Sequence, residues 1–387
     1  MGKQYKAVLI GHTGQGNYGH GLDMVYSDMP EVDVVAVADP DAEGLASAAR
    51  RTGATRPYAD YRDMLDREDF DLVNICPRVV GGHAAMAIAA AEAGARGIFC
   101  EKPLTATLAQ ADDMMAACQQ HNVKVAVAHR RANPYEQYAK QLVDAGEIGQ
   151  LQVLRARGKW DHRAGAEDLA VLGPHMMDSV RYFAGADVDW AHAHIMQGGR
   201  EIEPADVRQG NEGIGPIAGD RLSAYYAFKN GVCAHFESQP GDMEAGVNSR
   251  WFGFEAHGTE GIIALRNSPN GEMYIHRHGM FIPDGKVPWE RIVLDEWEAA
   301  LAHGRTGGNH IPREDITAGL PPQILRENQR IENEGAAVYM RMKFVLGHFQ
   351  PRNLAMAWTN HTPRSNARGR GPSYRRHRRG CRSPAPT

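Results

Sequence analysis

The chain has 387 residues, enough for two hydrophobic cores, and its 43% hydrophobic and 23% charged content is that of a soluble globular protein. No apolar run reaches the length of a membrane span, so neither a membrane partner nor a disordered or fibrous class is expected. The net charge of −4 hides a segregation: residues 351–387 hold nine Arg and no Asp, Glu or Lys, which leaves the body near −13 and a poor match for nucleic acid.

The N-terminal third alternates strand and helix patterns. "KAVLIG" (6–11) reads as a buried strand, followed by a glycine-rich turn and a helix through about Ser27. Within that turn Gly14-Gln15-Gly16-Asn17-Tyr18-Gly19 fits GxGxxG, and Gly11 directly follows the strand. Glycines there let the backbone approach a pyrophosphate. The second strand, "VDVVAVADPD" (32–41), carries Asp39, placed 23 residues beyond Gly16. An acid near that spacing suits a ribose 2′-OH and repels a 2′-phosphate, which favours NAD over NADP. A helix over 44–53 and a strand over 70–77 follow, the strand ending in Pro77 with His83 just beyond. In a parallel sheet both fall at the carboxyl edge, where ligands gather. An Ala-rich helix over 82–94 leads to the fourth strand, "RGIFCEKP", which ends in Glu101 and Lys102. A solvated lysine keeps its proton at neutral pH, whereas burial beside a cofactor makes the amine useful for proton transfer. An amphipathic helix over 106–121, with Leu108, Ala111, Met115 and Cys118 on its stripe, and a fifth strand over 123–130 complete the unit.

After about residue 131 the rhythm changes. A helix over 133–146 precedes a strand, "LQVLRARGKW", and several later segments alternate apolar and polar residues. That pattern predicts a second α+β unit on a large open, mainly antiparallel sheet. An open sheet needs cover, so a homodimer or homotetramer through it is expected. Lys159, Trp160 and Asp161, with Arg131, offer the stacking and hydrogen bonding that sugars need. "VLGPHMMD" (171–178) sets His175 and Asp178 on one face of a helix that starts at Pro174, a base with a group to orient its ring. The paired histidines 192/194 and 276/278 read as ordinary sheet surface, and five scattered cysteines as reduced thiols, so no metal site is expected. From about residue 332 the pattern degrades into a basic tail expected to be largely disordered and without part in the chemistry.

The glycine loop, Asp39, "NICP…H", "EKPL", "HRRANPYEQYAKQLVDAGEIGQLQVLRARG", "AFKNGVCAHFES" and "HGTEGIIAL", in that order, resemble the glucose–fructose oxidoreductase/inositol dehydrogenase family (Gfo/Idh/MocA) over about residues 5–265. The resemblance implies an α/β fold, with a Rossmann-type doubly wound parallel sheet over 1–130 and a substrate and oligomerisation α+β domain over 131–331; the tail over 332–387 departs from the family. It implies a cytoplasmic NAD-dependent enzyme acting on a secondary hydroxyl of a sugar, cyclitol or polyol, with Lys102 in the active site. Two other readings share the cofactor: an NAD-assisted hydrolase or lyase without net redox change, and a non-catalytic NAD/sugar sensor. The family's second motif, Asp-x-Gly-x-His-x-x-Asp, maps onto 171–178 with Gly173, His175 and Asp178 matched, but Val171 stands where the first acid belongs. Glu167 and Asp168, just upstream, are candidate replacements.

Overall fold

The computed structural model describes residues 5–27, 29–129, 133–241, 252–266, 272–277 and 287–294. Arg131, His278 and the basic tail lie outside the described residues.

Six strands form an all-parallel sheet: β1 (Tyr5–Ile10), β2 (Val32–Ala38), β3 (Arg56–Tyr58), β4 (Leu72–Ile75), β5 (Gly97–Cys100) and β6 (Lys124–Val127). Their order, β3-β2-β1-β4-β5-β6, is that of a dinucleotide-binding doubly wound sheet. β4 and β5 are buried along their whole length and β1 over its last four residues, which is why their sequences read as continuous apolar runs. The helices are α1 (Ala42–Thr52), α2 (Tyr61–Arg67), α3 (His83–Glu92) and α4 (Leu108–Gln120). Asp41, Asp60 and Thr107 accept backbone N–H bonds at the starts of α1, α2 and α4, and Gly53 ends α1 in the left-handed region.

Three differences from the sequence-based expectations have physical causes. The expected helix after the glycine loop does not form; the segment makes only a 3-10 turn at Leu22–Met24. Positive φ at Gly14, Gly16, Asn17, Gly19 and Gly21 interrupts any helical run before it can propagate. On α4 the buried residues are Met114 and Cys118, while Leu108 is 85% exposed: as the first residue after the Thr107 cap, it lies past the edge of the core. The short β3 and α2, unforeseen in the sequence, continue the alternation at the sheet's edge.

The second sheet has nine strands, ordered β17-β16-β15-β14-β7-β13-β12-β8-β9. These are β7 (Leu151–Arg157), β8 (Val188–Gln197), β9 (Arg200–Glu201), β12 (Arg221–Phe228), β13 (Cys233–Ser238), β14 (Gly253–Gly258), β15 (Ile262–Arg266), β16 (Glu272–His276) and β17 (Glu290–Ile292); β10 (Arg208–Gln209) and β11 (Pro216–Ile217) form a separate small ribbon. Only the β7–β13 pair is parallel. One face packs Leu154, Ala156, Phe236 and Phe254 against Tyr135 and Ala139 of α5 (Pro134–Asp144) and Met176, Val180 and Phe183 of α7 (Gly173–Ala184). The opposite face is open: Trp190 of β8, half exposed, stacks on Tyr225 at 5.1 Å. α6 (Ala166–Val171) lies immediately before α7.

A buried polar group ties the glycine-rich segment to the first sheet. Asn74 on β4 accepts from Tyr26 Oη at 2.6 Å and donates from Nδ2 to the Leu22 carbonyl at 2.8 Å. With no helix there, these bonds hold the chain between β1 and β2. Asn74→Ala leaves a buried hydroxyl and a carbonyl without partners, a loss of about 1–3 kcal/mol, to be read as a lowered urea midpoint with an unchanged slope.

Candidate active site

The loops at the carboxyl edge of the first sheet converge on β1, β4 and β5. Gly16 (φ +86°) lies so close to the backbone after β4 that a Cβ there would sit 2.5 Å from Arg78 N. At Gly19 (φ +60°) a Cβ would come within 2.6 Å of the Cys76 carbonyl and of Glu101 Oε2. Gly11 faces the Tyr18 ring with no room for a side chain, and burial, then the Asp39 charge, pushes the Tyr18 phenol far above its ordinary range. Gly14 has open space at its Cα, and Asn17 Oδ1 accepts its N–H at 2.9 Å. Asp39 is buried at the end of β2 and receives the Thr13 N–H at 3.1 Å, the Thr13 hydroxyl at 2.8 Å and the Asp41 N–H at 3.0 Å. It therefore anchors the loop as well as marking its far end.

Three features fit a bound dinucleotide. Gly14 offers backbone open to approach. Buried Glu101 Oε2 has no hydrogen-bond partner, an acceptor facing the loop, and Arg78 Nε, beside Gly16, is a buried donor likewise without one. Around these, Gly16 and Gly19 pack against the exits of β4 and β5, Gly11 against Tyr18, and Asp39 against Thr13, so they shape the loop. Pro77 and His83 support it from beneath: His83 is fully buried, with Nε2 2.7 Å from the Pro77 carbonyl and Nδ1 2.9 Å from the Pro103 carbonyl. It clamps the β4 exit to the β5 exit. Arg78 was not singled out from the sequence, where one arginine in a loop carries no signal.

Lys102 is 1% exposed, and its Nζ donates to the Val171 carbonyl at 3.1 Å. That carbonyl is available because the helix breaks there. In an unbroken helix the His175 N–H would bond to it, but His175 N bonds to Leu172 O at 3.1 Å instead, around Gly173-Pro174. The first turn of α7 carries buried His175, with Asp178 one turn on and half-buried. The His129 ring, at the exit of β6, meets the His175 ring edge-on at 5.7 Å. His129 was passed over in the sequence as the end of a strand.

Past β7, Asp161 is buried and paired with Arg163 at 2.5 Å, with Lys159 Nζ at 3.9 Å; Trp160, itself at φ 57°, donates weakly to the Glu237 carbonyl at 3.4 Å. Burial would raise the Asp161 carboxyl, but the Arg163 bonds hold it below the usual range. Neither Glu167 nor Asp168 takes the place of the missing acid by pairing with Lys102. Glu167 pairs with Arg208 at 2.6 Å and accepts from the Asn211 backbone and side chain; Asp168 accepts the Ser238 hydroxyl at 2.5 Å. The carboxylate beside Lys102 belongs to Glu212, with Oε2 3.9 Å from Nζ. Among the described residues no three His, Cys, Asp or Glu converge in a metal-binding arrangement, and no helix is long and apolar enough to cross a membrane.

Residues 5–129 match the Gfo/Idh/MocA oxidoreductase family, NAD-binding Rossmann fold, and residues 137–264 match that family's C-terminal domain. The chain belongs to this family. It is 29% identical to levoglucosan dehydrogenase of Pseudarthrobacter phenanthrenivorans over 301 residues, 69% of this chain and 75% of that protein. It is 28% identical over 276 residues to scyllo-inositol 2-dehydrogenase (NAD(+)) of Bacillus subtilis, covering 68% and 75% of the two chains. The solved complex of levoglucosan dehydrogenase with NADH and levoglucosan aligns with a TM-score of 0.61 at 23% identity, over 88% of this chain and 90% of that one, a likeness of fold. Within the family frame, Val171 puts a backbone carbonyl, not a carboxylate, against the lysine.

Glu167 yields a pH test. Burial alone would raise its carboxyl, but the hydrogen bonds from Arg208 and Asn211 hold it below the usual range. Its stabilisation is therefore complete above the unfolded value of about 4.3 and lost as pH falls through the lower folded value. Melting temperature measured from pH 7 to pH 3 falls more steeply in wild type than in Glu167→Gln, the two curves converging at the acid end.

Proposed function

We propose that this chain is an NAD-dependent dehydrogenase oxidising a secondary hydroxyl of a sugar, cyclitol or related polyol. The observation that carries the reading is Lys102, fully buried at the carboxyl end of β5 and bonded to the break between α6 and α7, two residues before the first turn that bears His175. A buried ammonium is costly to fold around, and this one stands where the dinucleotide cradle meets the second unit. The names of the relatives, levoglucosan and scyllo-inositol dehydrogenases, support a polyhydroxylated substrate.

In this reading His175 takes the hydroxyl proton, Asp178 orients its ring and Lys102 holds the reacting oxygen. Bound NAD would supply the acceptor for the hydride leaving the carbinol carbon. Lys159, Trp160 and Asp161 line the approach from the second unit, and Arg131 joins them as an expected substrate contact. Asp39 favours NAD because the buried carboxylate opposes a 2′-phosphate. The exposed face of the second sheet, with Trp190 at its edge, is the surface for pairing two or four copies.

Purified protein assayed with NAD+ against levoglucosan, inositols and aldoses, following absorbance at 340 nm, tests the activity. Lys102→Met lowers kcat by at least about 100-fold with NADH binding retained; near-normal turnover would overturn the assignment. Product formed with no net nicotinamide reduction would favour the hydrolase or lyase reading. For the cofactor, NADH binds at least about tenfold tighter than NADPH, and Asp39→Ser narrows the gap.

A further inference from the structure

From the geometry around Lys102 we infer that Glu212 is a positioning residue that supplies the negative charge absent from position 171 and holds the Lys102 side chain in place. The inference rests on the dehydrogenase reading for its catalytic consequence, but not for the contact itself.

Four observations meet on this residue. Glu212 Oε2 is 3.9 Å from Lys102 Nζ, and the glutamate side chain is largely buried. That oxygen has no hydrogen-bond partner, so its acceptor capacity is left for the ammonium or for a ligand beside it. Glu212 sits at φ 55°, ψ 22°, a left-handed conformation that glutamate rarely adopts and that is sustained where surroundings impose it. The surroundings here do impose it. Gly213, at φ +73°, seats the turn against Val79, and Asn211 is bonded through backbone and side chain to Glu167, itself paired with Arg208.

The arrangement also explains what Glu167 does. As a candidate replacement acid it stands in the wrong place for Lys102, yet it grips the residue next to Glu212. The Glu212 charge also reinforces the Arg163 cation, which is paired with Asp161, so that acid and base alternate from Lys102 into the segment expected to meet the substrate. An acid that the family carries on the helix before α7 is thus delivered by a turn about 40 residues later in sequence.

The test uses the full chain and two readouts. Because Lys102 is sealed, cyanate reaches its amine only when the contact with Glu212 opens, so carbamylation of Lys102, quantified by peptide mass spectrometry in the free protein, reports how firmly the side chain is held without any turnover. Glu212→Gln raises the labelling rate of Lys102 several-fold at pH 7.5 relative to other lysines; an unchanged rate overturns the inference. In turnover, Glu212→Gln lowers kcat about 10- to 100-fold and leaves NADH binding intact. Glu212→Asp recovers part of the loss. Glu212→Gly, which suits the left-handed backbone, keeps the turn but leaves Lys102 without its charge partner, so it loses activity as Glu212→Gln does. Unchanged kcat in Glu212→Gln overturns the inference. Should no polyol be oxidised by wild type, the dehydrogenase reading falls, while the cyanate result still decides the Lys102–Glu212 contact.

Discussion

The structure turns on how one ammonium group is kept out of water. Lys102 leaves the end of β5 and is sealed at 1% exposure, a situation whose desolvation cost must be offset by acceptors fixed in advance. The first acceptor is a main-chain carbonyl released by a broken helix. Pro174 has no N–H to give, and His175 bonds one residue short, so Val171 O is left facing the lysine. The same break that frees the carbonyl starts α7 and sets His175 on its first turn. Position 171 therefore contributes through its backbone, and its valine side chain is free to be core: it is fully buried.

The second support is ionic. At 3.9 Å the Lys102–Glu212 pair has a gross attraction of about 4 kcal/mol at an effective dielectric near 20, before desolvation is subtracted. The turn that carries Glu212 belongs to neither large sheet. It lies between β10 and β11, and rests on Val79 at the exit of β4. Lys102 is thereby held between an element of the first sheet, a helix break in the second unit and a small ribbon inserted into that unit.

Much of this was legible in the sequence, and what was not has identifiable causes. The parallel strands announced themselves because β4 and β5 are buried along their whole length and so are written in unbroken apolar letters. α5 and α7 were visible through Asn133 and Pro174 at their starts. The glycine loop was visible as glycine but not as a shape: five positive φ values between residues 14 and 21 prevent the helix that its flanking residues favour. Glu212 was invisible for a different reason. "RQGNEGIGP" has no hydrophobic period, and its two-residue strands carry too few positions to show one. Nothing local marks an isolated glutamate there as the neighbour of a lysine 110 residues earlier.

That last failure bears on how a missing motif residue should be read. A motif records where an acid sits along the chain, whereas a buried lysine requires only that negative charge arrive at its nitrogen. Val171 breaks the pattern in sequence, and the requirement is met in space by a carbonyl at 3.1 Å and a carboxylate at 3.9 Å. The two are not equivalent to one aspartate. The carbonyl is fixed by the helix break itself, whereas the carboxylate is carried by a separate turn. Lys102 is thus positioned by the helix break, and its charge partner depends on the Arg208–Gly213 segment, which Glu167 holds by an ion pair to Arg208 and hydrogen bonds to Asn211.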